Sequence, residues 1–194
     1  MSTFQFHQQR RLFKFMNPYG FFKIKTSNHA RKKQQILDVA YDYERAIPDP
    51  EVTGSFISNT DFDENELNHF WAKIIFDKKT KSRLASKIKS LYNDNYTVDV
   101  VSSWVSQYYA KTNSEHRLHN HVGSDVNLCA IYYVDLPYRK LLTQYEFNGK
   151  LIKPSVKEGE IVFFSSDVLH MSPPNDTKKD KTIVAMNFYL TPKS

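Results

Sequence analysis

The sequence predicts an α+β protein in which helices come first and a closed or doubled antiparallel sheet follows. Three observations predict it. Apolar residues recur at helical spacing as far as Leu91 and at strand spacing after Asn95. The later half is rich in β-branched and aromatic residues. Its apolar runs are separated by turn signals rather than by helical stretches. Segregated elements of this kind pack helices on one antiparallel sheet, and closing or doubling that sheet manages its edges.

Taken in order, residues 1–27 form a basic, aromatic N-terminal segment. Residues 1–33 carry eight Lys/Arg and no acid, interleaved with Phe4, Phe6, Phe13, Phe15, Tyr19, Phe21 and Phe22. The other 161 residues hold 19 basic and 21 acidic groups. The aromatics read as core-seeking with solvated charges between them, and the charge also suits an acidic partner or nucleic acid. Residues 28–95 form a helical part. A helix is expected over 28–46, with Ile36, Leu37, Ala40 and Tyr43 on one face, Ser27 as its N-cap, and Pro48 and Pro50 beyond its end. A loop with turn chemistry runs to Asn59. A second helix is expected over 63–77, with acids in its first turn and Leu67, Phe70, Trp71, Ile74 and Ile75 to bury. A third is expected over 80–93, carrying Leu84, Ala85, Ile88 and Leu91.

Residues 96–194 form the β core. Strands are expected at 97–109, 126–135, 143–147, 151–156, 160–165 and 181–190. Asn148-Gly149 marks a tight hairpin and Lys157-Glu158-Gly159 a second turn. The whole of 1–194 reads as a single domain.

Composition excludes several classes. No apolar run approaches the roughly 18 residues of a membrane span, and the N-terminus has no continuous apolar stretch of the secretory kind. The lone Cys129 rules out an internal disulfide and a cysteine zinc cluster, and fits a reducing, cytoplasmic setting. Within LCAIYYV it reads as a small buried hydrophobe.

The chemistry lies in the histidines. His119 and His121 stand two apart in HRLHNHVGSD, and His170 closes GEIVFFSSDVLH. Residues two apart on an extended strand point to one face, and imidazole is a favoured ligand for Fe, Zn, Cu and Ni. The competing reading is two surface histidines beside a loop and a third capping a buried strand.

The order HNHVGSDV, AIYYVDLP, VKEGEIVFFSSDVLHMSPPN and DKTIVAMNF resembles the Fe(II)/2-oxoglutarate-dependent oxygenases, in particular the small bacterial and phage branch related to prolyl hydroxylases. The resemblance covers about residues 97–190. It implies a double-stranded β-helix, the jelly roll of the cupins, holding one Fe(II) on His-x-Asp/Glu and a distal His. His119 and His170 match the two histidines. His121 occupies the carboxylate position, which is a departure, and Asp125 is the alternative third ligand; His116 reads as a bystander. Lys181 matches the cation that pairs with the far carboxylate of 2-oxoglutarate. Tyr132 or Tyr133, one of the two, adds a hydroxyl there, and Asn187 matches a position often polar. The implied cofactors are Fe(II), 2-oxoglutarate and O2. The implied reaction hydroxylates an unidentified protein side chain, small molecule or nucleic acid, releasing succinate and CO2.

Two alternatives stand beside that expectation. A non-catalytic cupin-like domain, binding a metal or anion as an interaction module, would suit the missing carboxylate at position 121. A metal-dependent nuclease is suggested by the letters HNH, but such a site needs a hairpin-helix frame and no helical pattern follows His121 for 70 residues.

Overall fold

The structure is a computed structural model that describes residues 21–42, 52–53, 55–57, 70–122 and 126–193. Strand β1 (Phe22–Lys25) precedes helix α1 (His29–Asp42), and the short strands β2 (Val52–Thr53) and β3 (Ser55–Ile57) follow it. Helices α2 (Phe70–Ile75) and α3 (Lys78–Tyr92) come next. The chain then runs through β4 (Tyr96–Tyr108), β5 (Ser114–His119), β6 (Leu128–Asp135), β7 (Gln144–Phe147), β8 (Lys150–Ile152), β9 (Glu160–Ser165), β10 (His170–Asn175) and β11 (Lys181–Pro192). The expectation of helices first and strands only afterwards is therefore corrected. FKIK alternates buried and exposed side chains and adds an edge strand before any helix. Residues 1–20, 43–51 and 58–69, with the arm, most of the loop and the acidic start of the second helix, lie outside the described residues.

Among the described residues all strand pairing is antiparallel and forms two sheets. The larger runs β1-β9-β6-β11-β4-β3 and the smaller β2-β5-β10-β7-β8. The larger sheet is buried on both faces, so β6 and β9 read as unbroken apolar runs rather than alternating ones. The two-residue period still sorts their side chains. Leu128, Ala130, Tyr132 and Val134 pack with Ile161, Phe163, Val184, Phe188 and the helices' Ile36, Trp71, Ile75, Leu84 and Ile88. Cys129, Ile131 and Tyr133 pack with Val162, Phe164 and Ile183 toward Leu142 and the smaller sheet's Tyr145.

Local signals explain the joints. The β7–β8 hairpin turns through Asn148 and Gly149 with φ of 50° and 73°, the left-handed pair that Asn-Gly favours. The expected strand 151–156 shortens to β8, because Pro154 removes a donor there. At α3, Asp77 accepts the Thr80 backbone N–H at 2.8 Å as N-cap, and Asn93 ends the helix at φ 52°. Ser27 does not cap α1. Its hydroxyl goes to the Asp77 carboxylate, where Lys32 is also held, 3.0 Å from Asp77 and 2.6 Å from the Ile75 carbonyl.

The start of α1 is fastened to the larger sheet by polar contacts. His29 contacts the Tyr132 hydroxyl at 2.7 Å and Glu158 at 3.1 Å, and Lys33 bridges Glu158 and Asp135 at 3.0 and 2.9 Å. Burial alone would raise the Glu158 pKa. The Leu136 N–H, His29 and Lys33 outweigh that and hold it at about 2. Gly159, at φ 82°, lets the turn pass beneath His29; a Cβ there would lie 2.9 Å from the imidazole Cγ.

Two outcomes follow from this contact. Gly159→Ala should cost about 1–3 kcal/mol in urea denaturation, since it adds a left-handed strain to a contact that is already closed. Because the folded pKa of Glu158 lies below its ordinary 4.5, its share of stability is present above pH 4.5 and lost as pH falls toward about 2. Unfolding free energies of Glu158→Gln, followed over that window, should decline less than those of the wild type.

Candidate metal centre

Strand pairing brings the distant histidine home. In the smaller sheet β10 lies beside β5 with His170 directly opposite His119, and Tyr145 faces His170 from β7. Just past β5, the His121 N–H donates to the Ser166 carbonyl at 2.9 Å, which pins the loop against the β9–β10 turn. The potential ligand atoms of His119, His121 and His170 all lie within 4.8 Å of one another. Ring centroids are 4.2 Å apart for His119–His170 and 5.4 Å for each of the other two pairs. Near-convergence of this order suits a ligand set that tightens around an ion with bonds of about 2.1 Å.

Two of the rings are oriented by their own strands. His119 Nδ1 lies 2.8 Å from the Arg117 carbonyl, and His170 Nδ1 lies 3.0 Å from the Val168 carbonyl. A carbonyl only accepts, so each Nδ1 carries the proton and each Nε2 keeps its lone pair. That tautomer is the one a metal requires. Burial, followed by the neighbouring imidazoles, depresses the His170 pKa well below 6.5 and that of His121 to about 4. His121 and His170 are therefore neutral at physiological pH and ready to ligate.

A narrow cavity of about 20 Å³ runs inward from the histidines past Trp104, Asn187 and Thr143 to Tyr108 and Ser172. Behind Ser172 lies Lys181, wholly buried, donating to Ser172 Oγ at 2.6 Å, with its ammonium 4.3 Å from the centre of the Tyr108 ring. Alternation along β11 puts it there: Lys181 is in phase with Ile183, Ala185 and Asn187, all of which line the barrel side. Among the described residues no carboxylate pairs with it. Burial lowers its pKa from 10.5 to about 7. The hydroxyls of Tyr133, Thr143 and Tyr145 face one another in the same interior, yet none completes a hydrogen bond of good geometry.

The same alternation decides between the two tyrosines. Tyr133 faces the barrel interior, whereas Tyr132 points to the helices and is taken by His29. Tyr132 is thus removed from the set expected at the site. Asn187 lines the cavity, but its amide is engaged at both ends, accepting from Cys129 Sγ at 3.3 Å and donating to Ser102 Oγ at 3.1 Å. Lys181 is no turn lysine, despite Lys178 and Lys179 beside it. Asp125, the alternative third ligand, lies outside the described residues.

His116 is the residue that sequence spacing missed. It lies three before His119, and a regular strand would aim it away. The pairing, however, sets His119 against His170 and His116 against Ser172, so β5 spends three residues where β10 spends two. That bulge turns His116 inward, where its ring stacks on His119 at 3.9 Å and 13°.

No protein-family model matches the chain, and no curated protein is similar enough in sequence to count as a relative. Solved structures are similar in fold. A prolyl hydroxylase from Trichoplax adhaerens, in complex with a hypoxia inducible factor peptide fragment, superposes with a TM-score of 0.60 at 16% identity, over 97% of this chain and 94% of its own. The viral collagen prolyl hydroxylase of Paramecium Bursaria Chlorella virus-1, in its 2-oxoglutarate complex, gives 0.54 at 18% identity over 87% and 94%. The non-heme, α-ketoglutarate-dependent carbocyclase SnoK of nogalamycin biosynthesis gives 0.63 at 14% over 100% and 87%. The chain thus has the jelly-roll fold of the 2-oxoglutarate- and Fe(II)-dependent oxygenases, with prolyl hydroxylases among its neighbours. Hydroxylases and a carbocyclase share that fold, so the reaction must be argued from the site.

The unpaired cation allows a direct check. Its folded pKa lies below the ordinary 10.5, so the charged form is penalised in the folded state. Stability of the ligand-free protein should rise as pH increases from about 7 toward 10.5. Lys181→Met should raise the melting temperature at pH 7 and flatten that rise, both read by differential scanning calorimetry. A structural role for the ammonium predicts a lower melting temperature instead.

Proposed function

We propose that the protein is an Fe(II)- and 2-oxoglutarate-dependent oxygenase that hydroxylates its substrate. His119, His121 and His170 hold the metal, and Lys181 faces the far carboxylate of 2-oxoglutarate. The observation that carries this reading is Lys181: a wholly buried ammonium without an acid partner among the described residues, in the barrel whose mouth holds three convergent imidazoles. A buried charge left unpaired is costly, and its retention makes sense where an anion binds.

The donor set fits these groups. Neutral imidazole suits Fe(II), and the ammonium with the uncommitted hydroxyls of Tyr133, Thr143 and Tyr145 offers donors for a carboxylate. When bound, Fe(II), 2-oxoglutarate and O2 supply an oxidant that replaces a substrate C–H by C–OH, with succinate and CO2 as co-products. The chain's own residues do the rest. The Arg117 and Val168 carbonyls hold two rings in the ligating tautomer. Trp104 and Phe164 flank the imidazoles, with centroids 6.0 Å from His121 and 4.8 Å from His170, and give them an apolar wall. Lysine recognises a single carboxylate as a point charge, without the two-pronged grip of arginine.

Anaerobic addition of Fe(II) and then 2-oxoglutarate should produce a visible charge-transfer band. His170→Ala should abolish it, and Lys181→Ala should raise the 2-oxoglutarate concentration needed by tenfold or more. The cupin-like interaction module is favoured by one observation, the absence of a carboxylate among the described residues of the cluster. Tight Zn or Ni binding that 2-oxoglutarate leaves unchanged would support it and overturn the oxygenase.

A further inference from the structure

Two stretches of the chain are purely cationic. Residues 1–33, with eight Lys/Arg, are offset by ten Asp/Glu against two Lys/Arg over 34–77, whereas α3, with six Lys/Arg and no acid, lies between stretches of zero net charge, 1–77 and 93–194. Burial follows the helical period. Thr80, Leu84 and Ile88 are buried against the larger sheet, and the opposite face shows Lys78, Lys79, Lys81, Ser82, Ala85, Ser86, Lys89 and Ser90. Arg83 is engaged with the Lys25 carbonyl at 2.7 Å. Among the described residues no carboxylate pairs with Lys78, Lys79, Lys81, Lys87 or Lys89.

We infer that the exposed face of α3 docks the phosphodiester backbone of a nucleic acid. Lysine and serine are both phosphate-contacting side chains, and the small residues between the lysines let a backbone come close. Lys78 to Lys89 spans about 16 Å of helix, over which one DNA strand carries about five phosphates. The other polyanions fit less well. A protein partner is usually gripped by aromatic or apolar anchors, with lysine depleted, and this face has neither aromatic nor large aliphatic groups exposed. A bilayer-bound helix puts its large apolar residues into the lipid, whereas Leu84 and Ile88 are committed to the core. The inference stands apart from the metal centre and survives or fails without it.

The test is fluorescence anisotropy of the full chain with a labelled 30-base-pair DNA duplex of random sequence, in 50–200 mM NaCl. With one phosphate neutralised by each of the four exposed lysines, the wild type should lose about 150-fold in affinity over that range, and Lys78→Ala/Lys81→Ala/Lys89→Ala only about fourfold. The triple arginine variant should bind like the wild type. So should Lys150→Ala/Lys178→Ala/Lys193→Ala, which removes equal charge from exposed sites elsewhere. Circular dichroism of each variant confirms that it is folded. No binding at 50 mM salt, or an unchanged salt slope in the α3 variant, overturns the inference. Equal or tighter binding to phosphatidylserine vesicles or to polyglutamate, lost in the same variant, overturns it in favour of a membrane or an acidic protein.

Discussion

The larger sheet is covered by helices on one face and by the smaller sheet on the other, so each of its side chains is sorted by the two-residue period of its strand. This constraint fixes most of what the site contains. In β6 it sends Tyr132 to His29 and Tyr133 to the barrel interior. In β11 it places Lys181 in the same row as Ile183, Ala185 and Asn187, and so buries an ammonium that a turn position would have left in water. A one-residue slip of β11 would exchange Lys181 for Thr182 and remove the cation from the barrel. Twelve consecutive pairs with β4 hold the register, the single irregularity lying beyond Asn187.

The smaller sheet supplies the complementary half. There the chain departs from regular pairing, and each departure serves the site. The β5 bulge turns His116 onto His119, and β10 pairs through His170, Met171, Ser172 and Asn175, leaving Pro173 and Pro174 out of the ladder. A barrel with three neutral ligands is one positive charge richer than one with a carboxylate in the set. On the reading proposed above, in which these imidazoles hold a dication, that interior and the buried Lys181 would suit an anion with two carboxylates rather than a neutral ligand.

Much of this was legible in the sequence because burial on both faces writes long β-branched and aromatic runs. The strands β4, β6, β9 and β11 and the Asn148-Gly149 hairpin stand where those signals put them. The HxH spacing and the distal histidine likewise led to three rings that the fold brings together. What was not legible lies mostly in the smaller sheet. SEHRLH is polar because its outer face is solvated, and HMSPPN contains two prolines, so neither reads as a strand. Without β5 and β10 there was no register, hence no bulge and no inward His116. Parity alone could not choose between Tyr132 and Tyr133, since nothing in an unbroken apolar run says which face meets the helices. The basic face of α3 was also passed over: the eight cations of residues 1–33 drew attention from it, because its own lysines are interspersed with serines and apolar residues.

The central claim is that one ion and one dicarboxylate share this barrel. The measurement that tests it most directly is a crystal structure of the protein grown anaerobically with Fe(II) and 2-oxoglutarate. The account predicts the Nε2 atoms of His119, His121 and His170 on a single metal, with the far carboxylate of 2-oxoglutarate against Lys181 Nζ. A metal held by Asp125 with His121 turned away, or a dicarboxylate bound anywhere else, would contradict it.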